Sequence, residues 1–103
     1  MILMKPGLRL KSVVCSTEIM VIRAPPISAV IQCGGVEMLP PTQEAPQDAQ
    51  LDSAYAHGTL LGKRYIDPQD RVEVLCTRGG AGSVTLDGVL LQVKQAKALP
   101  SSD

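Results

Sequence analysis

The sequence predicts an all-β fold: a small antiparallel meander or hairpin domain of six or seven short strands in two similar halves. Three observations carry that expectation. The 103 residues hold 10 Val, 6 Ile and 12 Leu with no Phe and no Trp, so any core is aliphatic. Val and Ile are stiff at χ1 and suit a pleated surface. The apolar residues fall in short runs that tend to alternate, and turn-forming residues separate the runs: Pro25-Pro26, Gly34-Gly35, Asp67-Pro68, Gly79-Gly80 and Asp87-Gly88.

Residues 8–15 alternate in part, through Leu8, Leu10, Val13 and Val14, and form a first strand. Residues 18–23 (Glu-Ile-Met-Val-Ile-Arg) form a second, stopped by two prolines that cannot continue a ladder. Residues 27–33 form a third, with Ile27, Ala29 and Ile31 on one face, and Gly34-Gly35 ends it. Residues 8–38 are thus a first β unit.

Residues 39–58 differ. Pro40, Pro41 and Pro46 lie here with Glu44, Asp48 and Asp52, and no Lys or Arg occurs between Arg23 and Lys63. This composition marks a Pro-rich, acidic loop connector. The alternative is one short helix over residues 47–56, with Pro46 at its start and Leu51 and Tyr55 on one face.

Residues 60–93 return to strands as a second β unit. Residues 72–77 place Val72, Val74 and Cys76 on one face. Asp87-Gly88, between residues 83–86 and 89–93, supplies the positive φ values of a type I′ hairpin turn. Residues 94–103 are a polar tail expected to fray. Residues 18–38 also lie over residues 71–91 without a gap, matching Val21 to Val74, Gly35 to Gly88 and Val36 to Val89. In that alignment Cys33 lies over Leu86 and Cys76 over Arg23.

The length is that of one domain, 1–103. Ten basic and ten acidic residues balance to zero. A nucleic-acid binder needs a basic footprint and, for single strands, stacking aromatics; no nucleic-acid partner is expected. No apolar run reaches the roughly 18–20 residues of a membrane span, and no membrane partner is expected. Lys5-Pro6-Gly7 interrupts the first apolar residues too early for a signal peptide. A cytoplasmic location follows by default, and three cysteines in a reducing compartment argue against a disulfide framework.

Cys15, Cys33 and Cys76 are the residues that suggest chemistry. Free cysteine is often simply a small buried hydrophobe, which suits Cys15 and Cys76 in their strands. A Cys15–Cys33 redox pair would need a lowered thiol pKa. A thiolate zinc or iron site usually shows paired cysteines and four ligands. The segments Cys15-Ser16-Thr17-Glu18 and Cys33-Gly34-Gly35-Val36-Glu37-Met38 resemble the desulforedoxin-type motif, in which C-x-x-C precedes a hairpin ending in C-C-G-x-x-M. The resemblance covers about a quarter of the chain. It implies a small β-meander with a Gly-Gly elbow, and it places Cys15 and Cys33 on two ligand positions. Glu18 and Gly34 stand at the other two, so the four-cysteine iron site is absent as such. A zinc or iron site of Cys15, Cys33 and Cys76, completed by Glu18, Glu37, His57 or water, is the metal-binding alternative.

His57 stands alone in the acidic segment, and no nucleophile–base pair accompanies it. Residues 77–83 (Thr-Arg-Gly-Gly-Ala-Gly-Ser) could form an anion nest assisted by Arg78, but they lead into a strand and read as a wide hairpin turn. The function expected is therefore non-enzymatic: an accessory or interaction protein, self-associating or a small subunit of a larger complex, with no cofactor. The alternative is a metal-binding or thiol-redox protein using the three cysteines.

Overall fold

A computed structural model describes residues 1–94, so most of the tail expected at 94–103 lies outside the described residues. The fold is all-β and antiparallel. Among the described residues eleven strands occur: β1 (Ile2–Leu3), β2 (Arg9–Lys11), β3 (Glu18–Arg23), β4 (Ser28–Ala29), β5 (Ile31–Cys33), β6 (Val36–Glu37), β7 (Arg64–Ile66), β8 (Glu73–Arg78), β9 (Val84–Leu86), β10 (Val89–Leu90) and β11 (Gln92–Val93). They outnumber the six or seven expected because two runs change sheets and because β1 and β6 are two-residue strands outside the runs. Residues 27–33 break at Val30, so that β4 pairs with β1 and β5 with β9. Residues 89–93 break at Leu91, so that β10 pairs with β9 and β11 with β7.

The strands form a five-stranded sheet in the order β11-β7-β8-β3-β2, a four-stranded sheet in the order β10-β9-β5-β6, and the pair β1-β4. The core is aliphatic, as the composition requires. Leu10, Ile19, Val21, Ile31, Val72, Val74, Val84 and Leu86 are buried together with Met4, Met38, Tyr65, Cys33 and Cys76. No described helix is long and apolar enough to cross a membrane.

The two halves repeat one another closely. Arg9–Lys11 recurs as Arg64–Ile66 and Glu18–Arg23 as Glu73–Arg78, each 55 residues on. Ile31–Cys33 recurs as Val84–Leu86 and Val36–Glu37 as Val89–Leu90, each 53 residues on. The ladders repeat as well: Leu10 faces Ile19 as Tyr65 faces Val74. The loop hydrogen bond from Gly7 N to Val21 O recurs from Gly62 N to Cys76 O. The halves then pair with each other about a pseudo-two-fold axis. In the large sheet Met20 faces its equivalent Leu75, and in the smaller sheet Gln32 faces its equivalent Thr85. Even the register irregularities match, since Glu18 opposite Arg78 mirrors Arg23 opposite Glu73.

The gap-free alignment at 53 residues therefore holds only for the hairpins. The loop between β8 and β9 is two residues shorter than the stretch between β3 and β5, and the earlier strands shift to 55. Cys76 consequently occupies the position of Val21, a buried strand site, rather than that of Arg23. Both hairpin turns need positive φ at two successive residues. Asp87 (φ 50) and Gly88 (φ 81) provide one, Gly34 (φ 66) and Gly35 (φ 82) the other.

In the connector, one 3-10 turn at Ser53–Tyr55 forms where the longer helix was the alternative. Asp52 caps it, its carboxylate accepting from Ala54 N at 2.9 Å. Tertiary bonds fix the backbone on both sides of this turn. Asp52 N donates to Gly34 O (2.9 Å), and Ser83 N donates to Tyr55 O (2.7 Å).

Candidate functional site: the Cys15–Cys33 pair

The turn from β2 to β3 carries Cys15. Ser12 N donates to Thr17 O (2.8 Å) and closes the turn. The buried Ser12 hydroxyl then accepts from Val14 N and Cys15 N, both at 3.2 Å. A short side chain that takes two backbone donors fixes a turn that no ladder supports. Cys33 is the last residue of β5, fully buried beside the Gly34-Gly35 turn.

The fold brings the two thiols together at 3.8 Å Sγ to Sγ, and both are free. A movement of side chains by roughly 2 Å would join them in a disulfide. Cys15 is partly exposed and Cys33 is not. The Gly-rich loop lies over the pair. Gly82 N donates to Cys15 Sγ (3.4 Å), while Gly80 and Gly82 pack so closely that a Cβ would meet Cys15 Sγ at 3.1 Å and Cys33 Sγ at 2.8 Å respectively. Thr59 Oγ1 donates to Gly82 O (2.7 Å) and Ser16 Oγ to Gly79 O (2.6 Å), which fasten the loop in place.

The two thiols differ strongly in acidity. Burial pushes Cys15 up, but the hydroxyls of Ser12 (3.3 Å) and Thr17 (3.2 Å), the Thr17 backbone and the Gly82 N–H together outweigh it. The result is a pKa lowered from 9.0 to about 7. The reason is a count of protons: a thiol has one hydrogen to give, whereas a thiolate accepts from every donor around it. Cys33 goes the other way, to about 12, through burial first and then the charge of Cys15. A partly exposed thiol of lowered pKa beside a buried one of raised pKa is an arrangement able to attack a disulfide and then resolve it.

Cys76 does not join this pair as a thiol partner. Its S–H donates to Arg78 O (3.2 Å), and burial, with the charge of Cys15 adding to it, raises its pKa. Of the residues considered as further metal ligands, Glu18 shares the solvent cleft of Cys15 but pairs with Arg78 (3.5 Å), Glu37 pairs with the N-terminal ammonium (3.5 Å), and His57 is exposed. Among the described residues no three His, Cys, Asp or Glu side chains gather to hold a metal ion.

Ser12, Thr17 and Gly82 are site residues that the sequence left unmarked. Their signal, two hydroxyls within three positions of a cysteine, has meaning only once the turn is known to fold back. An open cleft of about 210 Å3 reaches Cys15 from solvent, lined by Lys11, Ser12, Ser16, Thr17, Glu18, Pro41 and Arg78.

No protein-family model, no curated protein and no solved structure matches the chain.

The closeness of the loop has a measurable consequence. Gly82→Ala puts a methyl 2.8 Å from Cys33 Sγ and 2.9 Å from Gly34 N. Overpacking of this kind costs about 1–3 kcal/mol. Urea unfolding should show that loss, and the displaced Gly82 N–H should raise the pH at which Cys15 becomes reactive.

Proposed function

We propose that this protein works as a thiol–disulfide couple, with Cys15 as the attacking thiolate and Cys33 as the resolving thiol. The observation that carries this reading is the 3.8 Å contact between a partly exposed sulfur of lowered pKa and a buried one. In the first step Cys15 Sγ attacks one sulfur of a substrate disulfide, forming a mixed disulfide and releasing the other sulfur as a thiolate. In the second, Cys33 gives its proton to the released thiolate or to water and attacks Cys15 Sγ. The second substrate thiolate leaves, and a Cys15–Cys33 disulfide remains. The two protein thiols are oxidised and the substrate disulfide is reduced to two thiols; the reverse direction delivers a disulfide.

The pH dependence follows from the thiolate. Carbamidomethylation of Cys15 by iodoacetamide should rise with pH and reach half its limiting rate near pH 7, because Cys15 titrates at about 7. Cys33 and Cys76, both shifted upward, should stay unmodified in the folded protein over that range. A half-rise near pH 9, with all three cysteines modified together, would remove the basis of the reading.

A second reading rests on a different observation. β10 is an outer strand of the four-stranded sheet, and it exposes Val89 and Leu90. An uncovered apolar edge invites strand addition. It supports the interaction role, as a dimer or a subunit. Light scattering after size exclusion should give more than the monomer mass, falling to the monomer with Leu90→Lys; a monomer for the unaltered chain would count against self-association.

A further inference from the structure

The pseudo-two-fold axis provides an internal reference for the Cys15 cleft. Its equivalent lies at the turn from β7 to β8, where Asp67 N donates to Val72 O (3.2 Å) just as Ser12 N donates to Thr17 O. Cys15 falls on the position of Asp70, and Arg78 on that of Arg23. Arg23 donates through Nη2 to the Asp70 carboxylate (2.6 Å), through Nη1 to Asp70 O (2.8 Å), and reaches Glu73 at 3.4 Å.

At the Cys15 site the same ladder position presents an arginine whose first carboxylate partner is missing. Arg78 keeps the Glu18 pair at 3.5 Å, the counterpart of Arg23–Glu73, and its side chain is 68% exposed. The interiors of the two turns differ: Asp70 is left-handed (φ 55) and Cys15 is not, and the Cys15 thiol turns toward Cys33. Lys11 adds a second cation, where the equivalent residue on β7 is Ile66. One half of the molecule closes this corner with its own carboxylate. The other leaves Arg78 and Lys11, together with Glu18, around an open cleft of about 210 Å3 that reaches Cys15.

The geometry points to a small disulfide bearing carboxylates as the substrate of this cleft, held by Arg78 and Lys11 while Cys15 attacks its sulfur. The inference rests on the thiol–disulfide reading above. Arginine suits a carboxylate because its fork donates two parallel hydrogen bonds, and charge assistance strengthens them. Glu18 lines the same cleft and pairs with Arg78 at 3.5 Å, so a substrate carboxylate competes with it for the exposed guanidinium.

The test compares three probes on the reduced full-length protein at low salt: oxidised glutathione (anionic), 2-hydroxyethyl disulfide (neutral) and cystamine (cationic). The rate of Cys15–Cys33 disulfide formation is read by quenching and intact mass. Comparing each variant with the unaltered protein on the same probe cancels differences between leaving groups. Arg78→Gln with Lys11→Gln should slow the glutathione reaction about tenfold more than the neutral one, the factor expected for about 1.4 kcal/mol of lost charge interaction. The cystamine reaction should be slowed least or accelerated. Equal slowing with all three probes, or none, would overturn the substrate class while leaving the Cys15–Cys33 couple standing. If no probe forms the disulfide in the unaltered protein, the couple itself fails and this inference with it.

Discussion

Cys15→Ser is expected to remove nearly all thiol reactivity of the folded protein at pH 7. With a pKa of about 7, Cys15 is half thiolate there, whereas Cys33 at about 12 is ionised only to about one part in 10⁵. A more basic thiolate is a better nucleophile, and a Brønsted slope of about 0.4–0.5 over that gap returns a factor of roughly 100–300. In the unaltered protein this leaves Cys15 an advantage of about 150- to 500-fold; in Cys15→Ser the charge of Cys15 no longer raises Cys33, and burial, the larger cause, keeps the remaining thiol protonated. Cys33→Ser should behave differently. It keeps the attacking thiolate and removes the resolving one, so a mixed disulfide with the substrate accumulates on Cys15. Intact mass after brief exposure to oxidised glutathione separates the two variants: no adduct for Cys15→Ser, one persistent adduct for Cys33→Ser. An adduct on Cys33 or Cys76 in the Cys15→Ser protein would contradict the assignment of roles.

The largest stability effect of a polar substitution is expected at Glu73. Its carboxylate is 3% exposed and meets three cations: Lys94 Nζ at 2.9 Å, Arg23 Nη2 at 3.4 Å and Arg64 Nη1 at 3.4 Å. These partners come from β3, β7 and the residue after β11, so one buried carboxylate ties three strands to β8. The Lys94 hydrogen bond, against the opposing effect of burial, and then the Lys94 and Arg23 charges hold Glu73 below its ordinary 4.5. Glu73→Gln should cost about 2 kcal/mol at pH 7, below the value for a fully buried pair because the cations are about half exposed.

The sign of the pH effect follows from linkage. The unfolded chain binds the proton more readily, so the Glu73 contribution is complete above the ordinary carboxylate value and disappears as pH falls through the lowered folded one. Asp67 acts in the same direction. Burial opposes, but the N–H groups of Val72 and Arg71 and the Arg71 guanidinium hold it below 3.8. Urea unfolding of Glu73→Gln and the unaltered protein should therefore differ at pH 7 and converge below the carboxylate range. A difference that persists unchanged at pH 2 would show that packing, not charge, is at work.

What the sequence revealed and what it hid divide along the range of the interactions. Local signals were readable. Asp87-Gly88 and Gly34-Gly35 mark two-residue turns because positive φ is a property of those residues themselves. The aliphatic runs mark strands for the same reason. The strand at Ile2–Leu3 was hidden, since two residues become a strand only when Ser28–Ala29 lies beside them. The repeat was half visible, because a gap-free comparison cannot follow a loop shortened by two residues. Cys33 stood out through its elbow, and Cys15 through the spacing to it. The approach of Gly82 to both sulfurs, across a sequence gap of 67 residues for Cys15, depends on how loops from two halves pack, and no local pattern carries it. The place of Arg78 was equally hidden, because it stands out only against Arg23 and Asp70 in the other half.

The central claim is that Cys15 and Cys33 form one reversible couple from which Cys76 stands apart. The most direct measurement is a cysteine-linkage map of the folded protein after mild oxidation, read by alkylation, digestion and mass spectrometry. The expected result is a single species lighter by two hydrogens, with Cys15 joined to Cys33, Cys76 alkylated, and full recovery of three thiols on reduction. A map with three alkylated cysteines, or with Cys76 in the linkage, would contradict it.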